Sequence, residues 1–257
     1  MNLLNMQRSL LEPFPKGNVE WRIQASGKKS DGNLWALAIP YLNARDIMQR
    51  MDDVFGIGGW KNEYKEIPGS LSTEKGMFCE LSAKIDGEWL TKIDLGTATE
   101  IEPLKGAVSG ALKRTAVLWG VGRYMYEIAP IFVQTSSSAT NGWEKAKTKE
   151  GNYFYWQKPT LPDNYLPTPK VTMATMMVVD NLLESLKDEE KAITLKKKYA
   201  DYFNLDTISA MYEKEALMMV SSLEKQVTES LEAKKATPKA TEKTTKSAAK
   251  KSEGEAA

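Results

Sequence analysis

Pro103-Leu104-Lys105-Gly106-Ala107-Val108-Ser109-Gly110-Ala111-Leu112-Lys113-Arg114-Thr115-Ala116-Val117-Leu118-Trp119 reads as one two-faced helix. At ~100° per residue, Ala107, Val108, Ala111, Leu112, Thr115, Leu118 and Trp119 gather on one side. Lys105, Gly106, Ser109, Gly110, Lys113 and Arg114 gather on the other. Pro103 suits the first turn, where its missing N–H is not needed. No acidic residue occurs from Pro103 to Tyr126, whereas Lys105, Lys113, Arg114 and Arg123 all do. A solvated surface helix normally mixes charge signs. A face of small and basic residues lets a phosphate backbone approach and neutralises it. Each glycine inside a helix costs about 1 kcal/mol relative to alanine. Something therefore approaches closely here, either a nucleic-acid backbone or another part of the same chain.

Outward from this helix the periods change. Residues 3–11 predict a short helix stopped before Pro13. Residues 19–25 and 34–41 alternate as strands do. Asn43 caps a helix from Ala44 to Phe55 that ends at Gly56. Gly58-Gly59-Trp60 turns into a strand ending near Ile67. Residues 76–86 and 88–95 form a hairpin on Asp86-Gly87, a pair suited to a two-residue turn with positive φ. The expectation is an α+β fold, an antiparallel β-meander packed against helices. Tyr124 and Tyr126 follow the basic helix at strand-like spacing, and packing is their expected role. Trp60 is expected as a core anchor.

Four zones divide the 257 residues. Residues 1–133 are the expected DNA-binding core, and 134–170 read as a linker. That linker is unusually aromatic, with Trp143, Tyr153, Phe154, Tyr155 and Trp156 either packing on the core or meeting bases or a partner. Residues 171–232 predict helices at about 173–187, 189–203 and 207–231, a small bundle or a docking module with adaptable methionines. Residues 233–257 hold seven lysines and three glutamates with almost no branched aliphatic residue, and are expected to be a disordered, lysine-rich tail.

Composition excludes several chemistries. The net charge is +1, and residues 1–133 balance 16 basic against 16 acidic side chains, so a nucleic-acid site must be a local patch. The chain contains no histidine, which removes histidine bases and most zinc sites. Cys79 stands alone, and Met77-Phe78-Cys79-Glu80-Leu81 reads as a strand with an inert thiol. No Gly-x-x-x-x-Gly-Lys-Ser/Thr loop is present to cradle a nucleotide. Asp53, Glu63 and Lys65 loosely match a magnesium-nuclease pattern, although Asp53 has its own place in a helix. No cofactor or metal is expected, and no transmembrane stretch or secretory signal is read. The expected setting is cytoplasmic.

Ala107-Val108, Leu112-Lys113-Arg114 and Gly120 together resemble the signature helix of the Rad-fifty-two family of single-strand annealing proteins. Tyr41-Leu42-Asn43-Ala44-Arg45-Asp46-Ile47, followed by Val54-Phe55-Gly56-Ile57-Gly58-Gly59-Trp60, resembles that family's strand, helix and Phe-Gly-x-x-Gly-Trp turn. The Asp86-Gly87 hairpin and Leu95-Gly96 fall in the same order. The resemblance runs from roughly Leu34 to Ile128 and extends to phage recombinases of the Sak, Red-beta and ERF groups. It implies an oligomeric ring with a basic groove, in which single-stranded DNA lies with its bases turned outward and anneals without ATP. It implies Lys113 and Arg114 as phosphate contacts, with Lys105, Arg45 and Lys84 near further basic positions; Arg123 joins them from the acid-free run. Asp46 stands where the family has an arginine, Ile57 replaces an aromatic and Val117 often corresponds to another arginine. An exonuclease or single-strand-binding partner, met through the C-terminal region, is the further implication. The alternatives are a binder that protects single strands without annealing them, and a nuclease.

Overall fold

The computed structural model describes residues 3–68, 75–99 and 102–236, with side chains described to residue 233. The expected lysine-rich tail lies outside the described residues from residue 237 on. Two compact units follow each other, one ending at Thr168 and the other beginning at Pro169.

The first unit opens with α1 (Leu3–Leu11), then β1 (Glu20–Lys28), β2 (Leu34–Tyr41) and α2 (Ala44–Phe55). The boundaries of α2 follow from local chemistry. Asn43 is extended just before the helix, and Asp46 Oδ2 accepts from the Asn43 N–H at 3.1 Å. Gly56 ends the helix at φ 73°, a conformation that L side chains resist. The meander then runs through β3 (Trp60–Glu66), β4 (Gly76–Ile85) and β5 (Glu88–Thr97). Asp86 and Gly87 have φ of 51° and 89°, as a two-residue turn of this type requires. Strand order is β3-β4-β5, antiparallel throughout. α3 (Pro103–Trp119) follows and lies on this sheet.

α3 is fastened to β4 by its buried side. Ala107, Ala111, Leu112, Thr115, Ala116 and Trp119 are buried. Thr115 Oγ1 lies 3.2 Å from the Cys79 carbonyl, and Trp119 Nε1 donates to the Leu81 carbonyl at 3.2 Å. Burial pushes the Cys79 thiol up, which keeps it neutral and unreactive in its strand. Trp60 is a half-buried anchor whose Nε1 donates to Asp52 Oδ1 at 2.7 Å.

After α3 the chain departs from the expected pattern. Tyr124 and Tyr126 belong to a 3-10 turn, Arg123–Glu127, rather than to a strand. Gly120 (φ 104°) and Gly122 (φ 70°) reverse the backbone first, and no strand-like period survives that reversal. Tyr124 does pack: its hydroxyl accepts from the Phe14 N–H at 3.2 Å, and its ring stacks on Tyr165. Tyr126, 69% exposed, does not. β6 (Ile131–Val133) then joins β2 to complete a sheet of order β1-β2-β6.

The segment read as a linker is structured. β7 (Thr135–Ser136), β8 (Glu144–Lys147) and β9 (Tyr153–Trp156) form a third sheet of order β7-β9-β8. Phe154 and Trp156 are buried in the unit's core with Leu161, while Tyr153 is exposed. Alternation at period two along Tyr153-Phe154-Tyr155-Trp156 produces this division. Leucine-, alanine- and tryptophan-bearing sides of the helices and sheets meet in that same core.

The second unit holds α4 (Met173–Ser185), α5 (Glu189–Tyr202) and α6 (Glu213–Ala236). Thr172 and Asp188 cap the first two through Oγ1 and Oδ1 to the N–H groups of Thr175 and Lys191. Val179, Leu183, Leu195, Met219 and Leu223 are central to its separate core. α6 begins later than its apolar period predicts, because Ile208–Ala210 forms a 3-10 turn first.

Candidate nucleic-acid interface

The basic side of α3 borders a cleft of about 620 Å³. Gly106, Ser109, Gly110, Lys113 and Arg114 form its helical wall. Arg22 and Gln24 of β1 and Ile39 and Tyr41 of β2 face them. The register explains why these strand residues share a side. Glu20 pairs with Tyr41 and Arg22 with Ile39, while Ile23 and Ala38 point into the core.

Lys113 is half-buried in this cleft, its Nζ 5.4 Å from the centroid of the Tyr41 ring. Burial and the neighbouring Arg22 guanidinium lower its pKa, while Glu20 draws it back up. Desolvation and like charge both disfavour a cation, so this wall gains from any anion that enters. Glu20 accepts from the Tyr41 hydroxyl and from Asn43 Nδ2, and these bonds hold its carboxyl below the usual range. Burial and the same carboxylate push Tyr41 up to about 12, which keeps the phenol protonated as a donor. Arg114 is exposed and pairs loosely with Asp94 at 3.4 Å.

The remaining expected cations are dispersed. Lys105 is exposed and pairs with Glu102 at 2.9 Å. Arg45 is exposed on α2, and its neighbour Asp46 is engaged with Asn43 and Asn18. Lys84 is exposed on β4, opposite Trp89 of β5. Arg123 turns back onto α3, donating to the carbonyls of Val117 (3.1 and 3.0 Å) and Leu118 (3.1 Å). Lys92 reaches the Leu118 carbonyl as well, at 2.7 Å. Both satisfy the open carboxyl end of the helix and its partial negative charge.

The helix glycines have close neighbours within the fold. A Cβ on Gly106 would stand 2.0 Å from Thr99 Oγ1. Gly110 lies over Gly96 of β5: a Cβ on Gly110 would meet the Gly96 Cα at an ordinary 3.8 Å, whereas a Cβ on Gly96 would stand 2.3 Å from the Ala111 nitrogen. The intimate approach inferred from sequence is thus helix to strand, which narrows the distance between α3 and its sheet.

Each residue of the loose nuclease pattern has a partner of its own. Asp53 accepts from Gln49, Glu63 pairs with Lys61 at 3.2 Å, and Lys65 pairs with Glu80. Among the described residues no group of three or more His, Cys, Asp or Glu is placed to hold a metal ion. Arg22 was missed by sequence reasoning. The alternation Glu20-Trp21-Arg22-Ile23-Gln24 puts it on a polar side, but only the register with β2 turns that side toward α3.

Residues 2–144 match the model of the Rad52/22 family double-strand break repair proteins. The chain belongs to the Rad52/22 family. The Rad52/22 match takes in the cleft, α3 and all three strands of the meander, and it ends at the start of β8. The chain is also similar to the single-stranded DNA-binding protein DdrA of Deinococcus deserti, 34% identical over 131 residues, covering 50% of this chain and 60% of that protein. The DdrA of Deinococcus radiodurans is 32% identical over 131 residues, covering 50% of this chain and 58% of that one. The chain therefore spans less than two thirds of the length of these relatives. No helix among the described residues is long and apolar enough to cross a membrane.

Proposed function

We propose that this protein binds single-stranded DNA along the α3 cleft and anneals complementary strands in recombinational repair, using neither ATP nor a metal ion. One observation carries the reading: in a Rad52/22 domain, the desolvated Lys113 stands beside Arg22 and Arg114 over a helix wall of glycine and serine. Phosphates bind such a wall without regard to sequence, because cations neutralise them and small side chains admit them. Lys113 and Arg114 are the principal contacts. Lys105, Arg45 and Lys84 are peripheral cations for the same strand, while Arg123, committed to the helix carbonyls, adds little to it.

Annealing further requires the strand to be presented to its complement, and a ring of subunits would do this. β3 and β5 are the edges of the meander sheet among the described residues, and open edges suit pairing between subunits. The helical second unit, with exposed Met173, Met177 and Met218, is a docking module for an exonuclease or another strand-binding protein.

The test is a fluorescence annealing assay with two complementary oligonucleotides, in EDTA and without ATP. Wild type should accelerate duplex formation and Lys113→Ala/Arg114→Ala should not. The name of the DdrA relatives favours a second reading, a protein that binds and shields single strands. A wild type that binds both strands but slows their pairing selects that reading.

A further inference from the structure

The side of the β1-β2-β6 sheet that faces the cleft does not end at Ile39. Along β2 the same side carries Leu37 and Trp35, since alternate residues share a face. Phe132 of β6 pairs with Leu37 and Gly27 of β1 pairs with Trp35, so all four share that side. Trp35 lies about 13 Å from Ile39, at ~3.3 Å per residue.

This extension is built for rings. Phe132 is 73% exposed, an unusual position for a phenylalanine in a strand. Its ring lies 6.4 Å from that of Trp35, tilted by 59°. The indole is seated against bare backbone: a Cβ on Gly27 would come within 3.0 Å of Trp35 Nε1. Tyr126, itself a lining residue of the cleft, lies between the basic helix and Phe132 in the chain. Nothing charged is needed at such a place, because a nucleobase brings a π-face and no charge.

We propose that Trp35 and Phe132 form a stacking platform for the bases of a single strand whose phosphates are held at Arg22, Lys113 and Arg114. The proposal rests on the reading of the cleft as a single-strand site and adds the division of labour: backbone at the helix, bases on the sheet. Continuity of the sheet face with the cationic wall selects this occupant, since a strand emerging from the cleft meets the rings directly. Stacking on aromatic side chains tolerates every base, so the platform adds affinity without sequence preference.

The experiment uses the full chain and two probes of equal length, a thymidine oligonucleotide and a fully abasic strand, titrated by fluorescence anisotropy across a salt series. Phe132→Ala should weaken binding of the thymidine strand at least about fivefold, leave the abasic strand unchanged and keep the same salt slope. Phe132→Tyr should restore wild-type binding, which guards against a fold defect. Arg22→Ala/Lys113→Ala should instead weaken both probes and flatten the slope. If Phe132→Ala binds both probes as wild type does while the cleft variant is weakened, the platform is wrong and the cleft reading stands. If the cleft variant also binds normally, the cleft reading fails and the platform falls with it. If Phe132→Ala abolishes self-association yet leaves strand binding intact, this face is a subunit contact and the proposal is overturned.

Discussion

Compare the middle of α3 with its carboxyl end. In the middle, Lys113 is half-buried beside Arg22, and its own carboxylate neighbour Glu20 is already engaged by Tyr41 and Asn43. At the end, Arg123 and Lys92 close on the carbonyls of Val117 and Leu118 and complete the helix. One sequence run therefore carries cations of two kinds. Those at the end stabilise the fold, whereas Lys113 in the middle is held at some expense to it. Counting basic residues along the helix does not separate the two kinds, but their partners do.

Four measurements press on this contrast. The largest effect is expected from Gly96→Val, which forces a side chain into the backbone of Ala111 and Ala107. Both neighbours are backbone and cannot rotate away, so the cost is about 3 kcal/mol. Thermal unfolding should shift down strongly and strand binding should fall with it. A variant that melts like wild type would mean α3 is not held as closely to β5 as described.

Next comes Lys113→Ala/Arg114→Ala. Single-strand affinity should fall, and the slope of log affinity against log salt should lessen by about 1.4, at roughly 0.7 per single-strand contact. The melting temperature should stay near wild type, since Arg114 is exposed with only a loose partner. An unchanged slope would move the strand away from the middle of the helix.

Arg123→Ala should do the reverse. Loss of the carbonyl contacts should destabilise the fold by about 1 kcal/mol while the salt slope stays close to wild type. A full unit lost from the slope would show Arg123 gripping phosphate and dissolve the contrast.

The smallest effect is expected from Lys113→Met. Folding lowers the pKa of Lys113, so the unfolded chain holds that proton more tightly. The unfavourable contribution is then fully present below the depressed value and fades as pH rises toward the ordinary lysine range. Lys113→Met should therefore raise the melting temperature slightly at neutral pH while weakening strand binding, and the gain should vanish at alkaline pH. A lower melting temperature would mean that the stem packing or Glu20 outweighs desolvation.

Much of the fold was legible because its boundaries are set by single residues. Asn43 and Gly56 bracket α2, Asp86-Gly87 turns the hairpin, and Pro103 and Gly120 bracket α3. Each acts within a few positions, where sequence is informative. The helical period put Lys113 and Arg114 on one side of α3, and both line the cleft. Arg22 was not, because its relation to Lys113 depends on β1 pairing with β2 and on α3 arriving more than eighty residues later. The aromatic run Tyr153–Trp156 was read as part of a connection, since proline and glycine surround it. Its partners Thr135, Ser136 and Glu144–Lys147 lie too far off to be assigned from a local period. Gly106 signalled a close neighbour correctly but could not name it.

The ion pair between Arg114 and Asp94 bears on how fast a strand can leave. At 3.4 Å and open to solvent, it gives the guanidinium a place to return to when a phosphate departs. Release is then an exchange of one carboxylate for one phosphate, and the cation is never left without a counter-charge. Such a contact stabilises the empty site and so favours release of the phosphate. In the proposed annealing, short residence at each phosphate matters as much as tight binding.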